Sequence, residues 1–236
     1  MTQEGPYRRG MVVVAHADDA EYGCAGTVAR WCKEGMEVVY LVCTDGSKGS
    51  SDPEMTPECL SEIRQKEQLA AARVLGVKEV VFLGYDDSML QPSLELRRDI
   101  VRQIRKYKPD VLICPSPVRS LQGTGYIGHP DHLAVGEATL AAVFPAARDR
   151  MTFPELLKEG LEPHKVREVL VMDTRESDKW IDVSETVEVA IEALKQHVSQ
   201  VGDGHEDDKW MREWRQQAGQ HVGMKYAETF KHFHLG

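Results

Sequence analysis

Short apolar runs alternate with longer stretches of helical spacing through the first 145 residues. The runs 11–15 (MVVVA), 37–43 (EVVYLVC), 79–84 (EVVFLG) and 110–116 (DVLICPS) are nearly all apolar rather than alternating. A strand with apolar side chains on both faces needs cover on both, the pattern of parallel strands between helical layers. Between the runs, 25–35, 60–76 and 93–109 carry helical periodicity. Leu60, Ile63, Leu69, Ala72 and Leu75 mark one stripe; Leu96, Ile100, Val101 and Ile104 mark another. Gly35 and Gly76 stand where a glycine just beyond a helix is expected. This β-α-β-α order predicts an α/β fold: a Rossmann-like, doubly wound, mostly parallel sheet with helices on both faces and right-handed crossovers.

A further helix is expected from about Asp131 to Ala142. The stretch 144–166 then loses the alternation and gains three prolines, which reads as an excursion at the rim of a site or a subunit contact. Residues 167–174 (REVLVMDT) resume as a strand, and KWIDVSETVEVAIEALKQHV supplies a short strand and a helix with Ser184 or Asp182 as N-cap. From Gly202 the chain is polar and glycine-dotted with two tryptophans, so it is expected to be irregular with one short helix. The whole chain, 1–236, is expected to be a single domain, a common size for one α/β unit.

Composition narrows the function classes. The formal charge of −9 argues against a nucleic-acid partner, which needs a basic face. No apolar run approaches the roughly 20 residues of a membrane span, and the N-terminus lacks the apolar core of a signal peptide. A cytoplasmic protein without integral membrane contact, acting on a small molecule, is therefore expected. Cys24, Cys32, Cys43, Cys59 and Cys114 are odd in number and form no C-x-x-C pair, so they read as reduced thiols.

Ligands of doubly wound sheets bind beyond the carboxyl ends of the strands. HADD (16–19) follows the first strand directly, and HPDH (129–132) follows the fourth at the end of a loop. Alone, DD after a strand could be a helix N-cap and HPDH a surface turn. Two His/Asp clusters at one sheet edge instead suit a catalytic zinc, which takes three protein ligands from His and carboxylate and leaves a position open. His16 and one of Asp18 and Asp19 can supply two ligands, and a histidine of the second motif the third. The remaining aspartate is then placed to accept a proton.

AHADDAE with HPDH resembles the LmbE-like or PIG-L-like zinc-dependent de-N-acetylases, whose first motif is usually A-H-P-D-D-x-E. TDGSKGS (44–50), IRQKEQLAAARVLGVKEVVFLGYDDS (63–88), ALKQHVSQ (193–200) and YAETF (226–230) extend the likeness over most of the chain. The resemblance implies one zinc per chain, held by His16, Asp19 and His132, with Asp18 as general base. It implies His129 as electrophile or acid beside the carbonyl with Asp131 holding it in register, and Arg64, Asp87 and Tyr126 as substrate-binding residues. Ala17 departs from the usual proline, which leaves the turn less pre-organised. The implied reaction removes an N-acetyl group from an N-acetylglucosamine-type sugar or conjugate, by an enzyme expected to be a homo-oligomer.

Other readings fit less well. A nucleotide-binding Rossmann protein would need G-x-G-x-x-G where this chain has acids. A phosphoesterase generally holds two metals and more bridging carboxylates, although a metal-dependent hydrolase of another amide, ester or phosphoester remains the alternative. A structural zinc would be closed by four ligands, often cysteines, and of the five only Cys24 lies near either motif. His164, His197, His205, His221, His232 and His234 are expected to be structural or on the surface, with His197 packed under the site.

Overall fold

The computed structural model describes residues 7–121, 126–202 and 207–236, without the side chains of 207 and 208. In chain order its elements are β1 (Arg9–Val14), α1 (Asp19–Gly23), α2 (Ala25–Lys33), β2 (Glu37–Thr44), α3 (Pro57–Leu75), β3 (Glu79–Tyr85), α4 (Leu94–Tyr107) and β4 (Val111–Pro115). Then follow α5 (Pro130–Ala141), a π-type turn (Ala142–Ala146), α6 (Glu155–Lys158), β5 (Glu168–Met172), β6 (Lys179–Asp182), α7 (Val187–Leu194), α8 (Val198–Val201), α9 (Asp207–Gln220) and β7 (Ala227–His234).

The strands form one seven-stranded sheet in the order β3-β2-β1-β4-β5-β7-β6. Pairings among β1 to β5 are parallel, whereas β7 runs antiparallel between β5 and β6. Helices cover both faces. Val12, Val14, Val38, Tyr40, Val42, Val111 and Ile113 pack towards α2, α3 and α7. Their alternates Met11, Val13, Leu41, Cys43, Leu112 and Cys114 pack towards α4 and α5. This two-sided burial is why the strands read as unbroken apolar runs, and the expected fold class is the one observed.

The C-terminal part differs from expectation. The tail is not irregular: it contains the fourteen-residue α9 and the eight-residue β7. The strand was hidden because AETFKHFH mixes charged and aromatic residues, and its pairing partners are far away in sequence. Thr186, not Ser184 or Asp182, precedes α7; Asp182 instead accepts a hydrogen bond from the Ser184 N–H, and the Ser184 hydroxyl accepts one from the Tyr226 N–H. On α3 the buried stripe is Leu60, Arg64, Gln68, Ala71, Ala72 and Leu75, with Leu69 exposed.

The excursion 144–166 is fastened by the buried Arg105, which donates to the carbonyls of Ala146, Ala147, Asp149 and Thr152. His164 meets the Pro109 carbonyl just before β4. These anchors lie by the amino end of β4, and none of 144–166 lines the cavity described below.

Candidate metal centre

The strand order turns back at β1, whose neighbours are β2 and β4. That is the switch point at which doubly wound sheets hold ligands, and both His/Asp motifs lie there. The chain leaves β1 into α1 through a turn closed by the Asp19 carboxylate, whose Oδ2 accepts from the backbone N–H of Ala15 (3.1 Å) and of His16 (2.8 Å). Asp18 stands at φ 98° and makes no side-chain cap on α1. A left-handed aspartate is uncommon and worth a functional question. Across the switch point Pro130 opens α5, and the His129 ring accepts from the Asp131 N–H at 3.2 Å. Gly136 lets α5 sit against the end of β4: a Cβ there would lie 2.6 Å from the Pro115 carbonyl oxygen.

These elements bring His16, His129 and His132 together, each offering a nitrogen within 4.8 Å of the others. His16 Nδ1, His132 Nε2 and the two oxygens of the Asp19 carboxylate also converge. They are separated by 3.3 Å (His16 to His132), 3.0 Å (His132 to Asp19 Oδ1) and 3.7 Å (His16 to Asp19 Oδ2). Ligands about 2.0–2.1 Å from a tetrahedral zinc stand roughly 3.3–3.4 Å apart, so this donor set fits such an ion. Each histidine's other nitrogen is engaged by oxygen, which fixes ring orientation and tautomer as metal-binding histidines require. His16 Nε2 lies 3.2 Å from both Asp131 Oδ2 and Asp87 Oδ1, and His132 Nδ1 lies 3.4 Å from the Tyr126 hydroxyl.

The electrostatics agree. Burial would lower the His16 pKa, but hydrogen bonds with Asp131, Asp19 and Asp87 push it up to about 12. So strong a pull on one proton is a pull for a cation in general. Asp18 is raised to about 7, by burial first and then by the charge of Asp19, with Arg64 opposing. It lines the cavity beside the donors.

Several expected roles change on this geometry. The Asp131 carboxylate does not hold His129. It accepts from His16, from the Ser88 N–H at 2.7 Å and from the Leu90 N–H at 3.3 Å, and only its backbone N–H reaches the His129 ring. His129 is not poised as a cation: burial and then the positive His16 lower its pKa. With its Nδ1 accepting, its Nε2 is the donor in the neutral ring. Arg64 and Asp87 are buried and absent from the cavity wall. Instead of an open sugar contact, Arg64 donates to the Ala17 carbonyl (2.8 Å) and pairs with Asp18 (3.6 Å), while Asp87 holds His16 and accepts from the Lys48 N–H (3.0 Å). Tyr126 does line the cavity and accepts from the His129 N–H at 2.9 Å.

A chain of buried polar groups lies beneath Asp18 that was not anticipated. The Asp18 N–H donates to Gln68 Oε1, Gln68 Nε2 donates to Glu21, and Glu21 Oε2 lies 3.1 Å from His197 Nε2. Gln68, Glu21 and His197 are fully buried. Their sequence signal was a polar residue on the core stripe of α3. His197 thus lies under the site as expected; His205 is outside the described residues.

The donors open onto a cavity of about 870 Å³ whose wall runs from Asp18, Asp19 and His132 past Ser116 and Asp173 to Trp214 on α9. A family model described as PIG-L, GlcNAc-PI de-N-acetylase, matches residues 11–143. The chain belongs to this family. It is 31% identical over 226 residues to a diacetylchitobiose deacetylase of Thermococcus kodakarensis, covering 95% of this chain and 82% of that one. It is also 31% identical over 199 residues to a probable N-acetyl-alpha-D-glucosaminyl L-malate deacetylase 2 of Bacillus anthracis, covering 82% and 81%. The solved structure of N,N'-diacetylchitobiose deacetylase from Pyrococcus horikoshii in complex with an inhibitor superposes with a TM-score of 0.89 at 28% identity, covering 96% of this chain and 84% of that one. The family match ends just after α5 and so includes both donor motifs. No helix among the described residues is long and apolar enough to cross a membrane.

Proposed function

We propose that this protein is a zinc-dependent deacetylase that hydrolyses the N-acetyl amide of an N-acetylglucosamine-type sugar or conjugate, releasing acetate and a free amine. The observation that carries this reading is the convergence of His16, Asp19 and His132 on one point beside the strained, uncapped Asp18. The family's deacetylases support the choice of an acetamido sugar.

His16, Asp19 and His132 would hold the zinc, which would supply Lewis-acid chemistry, polarising a carbonyl and lowering the pKa of water towards about 7. Asp18 takes the proton of the attacking water and passes it to the departing amine nitrogen. Its raised pKa, about 7, suits a group that must both accept and return a proton near neutrality. His129 donates its Nε2–H to the oxygen of the former carbonyl as negative charge gathers there. Asp131 and Asp87 keep the His16 Nε2–H occupied, which leaves Nδ1 as the nitrogen that would take a metal. Arg64 and Gln68 fix the Ala17–Asp18 backbone.

The test is acetate release from N-acetylglucosamine conjugates by the zinc-loaded protein, with Asp18→Asn as the blank. Acetate from the parent protein and none from the variant supports the reading. Equal release by both removes Asp18 as the base, and release from esters or phosphoesters alone overturns the substrate class.

A further inference from the structure

The base of the proposed reaction sits on a backbone that its residue type does not favour. Asp18 stands at φ 98° and ψ −29° with no side-chain cap on α1. A non-glycine residue stays in that region only where its surroundings over-determine it. Three hydrogen bonds do so. The Ala17 carbonyl accepts from Arg64 at 2.8 Å, the Asp18 N–H donates to Gln68 Oε1 at 3.1 Å, and the Asp18 carbonyl accepts from the Tyr22 N–H at 3.0 Å. The first two hold opposite sides of the peptide plane before Asp18, and the third holds the plane after it. The angle between those planes is the conformation of Asp18.

The hold by Gln68 depends on which way its amide faces, because an amide side chain can turn over. Gln68 Nε2 lies 3.2 Å from both oxygens of Glu21. A carboxylate only accepts, so Glu21 keeps the amide nitrogen towards itself and the amide oxygen towards Asp18. Beside a group able to donate, the amide could reverse and set its own N–H against the Asp18 N–H. Glu21 Oε2 in turn lies 3.1 Å from His197 Nε2, and Nδ1 of that ring has no partner among the described residues. The ring must therefore carry a proton on Nε2. With Nδ1 alone protonated it would leave a buried N–H unpaired and turn a lone pair on the carboxylate.

Every proton in this chain thus points towards Glu21, and the chain ends at the Asp18 amide. Gln68, Glu21 and His197 are fully buried, and none of them lines the cavity. Apolar residues would fill the same space without the cost of burying polar groups. His197 comes from the turn before α8, outside the stretch that the family model matches. Its segment has a second, separate anchor: the Ser199 N–H and hydroxyl both donate to Glu67 on α3, at 2.7 and 2.6 Å. We propose that Glu21 and His197 are positioning residues, which orient the Gln68 amide and thereby hold Asp18 in the left-handed conformation that places its carboxylate beside the metal donors.

This inference rests on the deacetylase reading, and its test separates the two. Acetate release from N,N'-diacetylchitobiose is measured for the zinc-loaded parent protein, His197→Ala, His197→Gln, Glu21→Gln and Ser199→Ala, together with zinc content. Hydrogen exchange of the Asp18 amide is followed by NMR in each, with the Val13 and Leu41 amides of the central strands as references. His197→Ala and Glu21→Gln should each lower kcat roughly 10- to 100-fold with KM within about twofold. Both should keep their zinc and exchange the Asp18 amide at least roughly tenfold faster, with the two references unchanged. His197→Gln, whose amide can still donate to Glu21, should regain most of both. Ser199→Ala, which frees the same segment from α3 but leaves the chain whole, should match the parent. An Asp18 amide unchanged in both His197→Ala and Glu21→Gln overturns the proposal. So does faster exchange at all three amides, a loss in Ser199→Ala equal to that in His197→Ala, or faster Asp18 exchange with kcat untouched. If not even the parent releases acetate while the Asp18 amide responds as stated, the deacetylase reading fails and the hold on Asp18 stands.

Discussion

The sheet carries histidine and carboxylate clusters at both of its ends, and only one is built for chemistry. At the carboxyl end, donors from β1 and α5 converge on one point, and the carboxylates behind them, Asp87 and Asp131, hold His16 rather than fill that point. At the amino end of β5, Glu168 is buried and accepts from Tyr7 (2.5 Å), from His232 and from His234 (2.7 Å). The two histidines are alternate residues of β7, each paired separately with one carboxylate. Among the described residues this second cluster offers no set of three donors close enough to share an ion. The same residue types thus fasten a strand in one place and prepare a cation site in the other. What differs is convergence of donors onto a cavity and the presence of carboxylates behind them.

The largest effect should come from His16→Ala. It removes a donor and the ring that Asp87 and Asp131 share, so deacetylation should fall to background, with zinc content lost in parallel by metal analysis. Asp18→Asn should be next, lowering kcat by about 10² to 10⁴ while zinc content is kept; loss of zinc together with kcat would move Asp18 into the donor set. Asp131→Asn removes a carboxylate that touches His16 and lies outside the proposed donor set, and should weaken zinc affinity by roughly 10- to 100-fold in a competition titration. An unchanged affinity would break the argument that the carboxylates behind the donors distinguish the two ends.

Glu168→Gln should leave deacetylation unchanged and alter only stability. Burial would raise the Glu168 pKa, but hydrogen bonds from Tyr7, His232 and His234 bring it below the ordinary 4.5. An acid depressed in the folded state stabilises the fold above its unfolded pKa, and that contribution disappears as pH falls through the folded value. The parent should therefore lose stability in denaturant titrations as pH drops below about 4.5, and the variant should be less stable at neutral pH with a flatter acid limb. A variant with the parent's full acid limb would show that Glu168 is not what fastens β7.

Much of this was legible in the sequence because the information was local. Val12 to Val14 read as a doubly covered strand because both faces are covered, and His16, Asp19 and His132 met because strand order fixes which loops share an edge. The family pattern, not spacing, separated Asp18 from Asp19. The structure departs from the sequence expectation at residues whose partners come from far away. The helical stripe gives Leu69 to the core, whereas the buried face is occupied by Arg64 and Gln68, whose polar groups are satisfied by the Ala17–Asp18 turn and Glu21. β7 was hidden because its polar residues are matched by Glu168 and Asp178 across the sheet. Asp131 was assigned to its sequence neighbour His129, whereas its carboxylate reaches His16, 115 positions away.

Where zinc binds is the decisive question for the carboxyl edge of the sheet. Zinc bound per chain should be measured after chelation and reloading for the parent protein, His132→Ala and His232→Ala. The expected result is about one ion in the parent and in His232→Ala and none in His132→Ala. Retention of the ion by His132→Ala, or its loss from His232→Ala alone, would contradict the assignment of the metal centre to the carboxyl edge of the sheet.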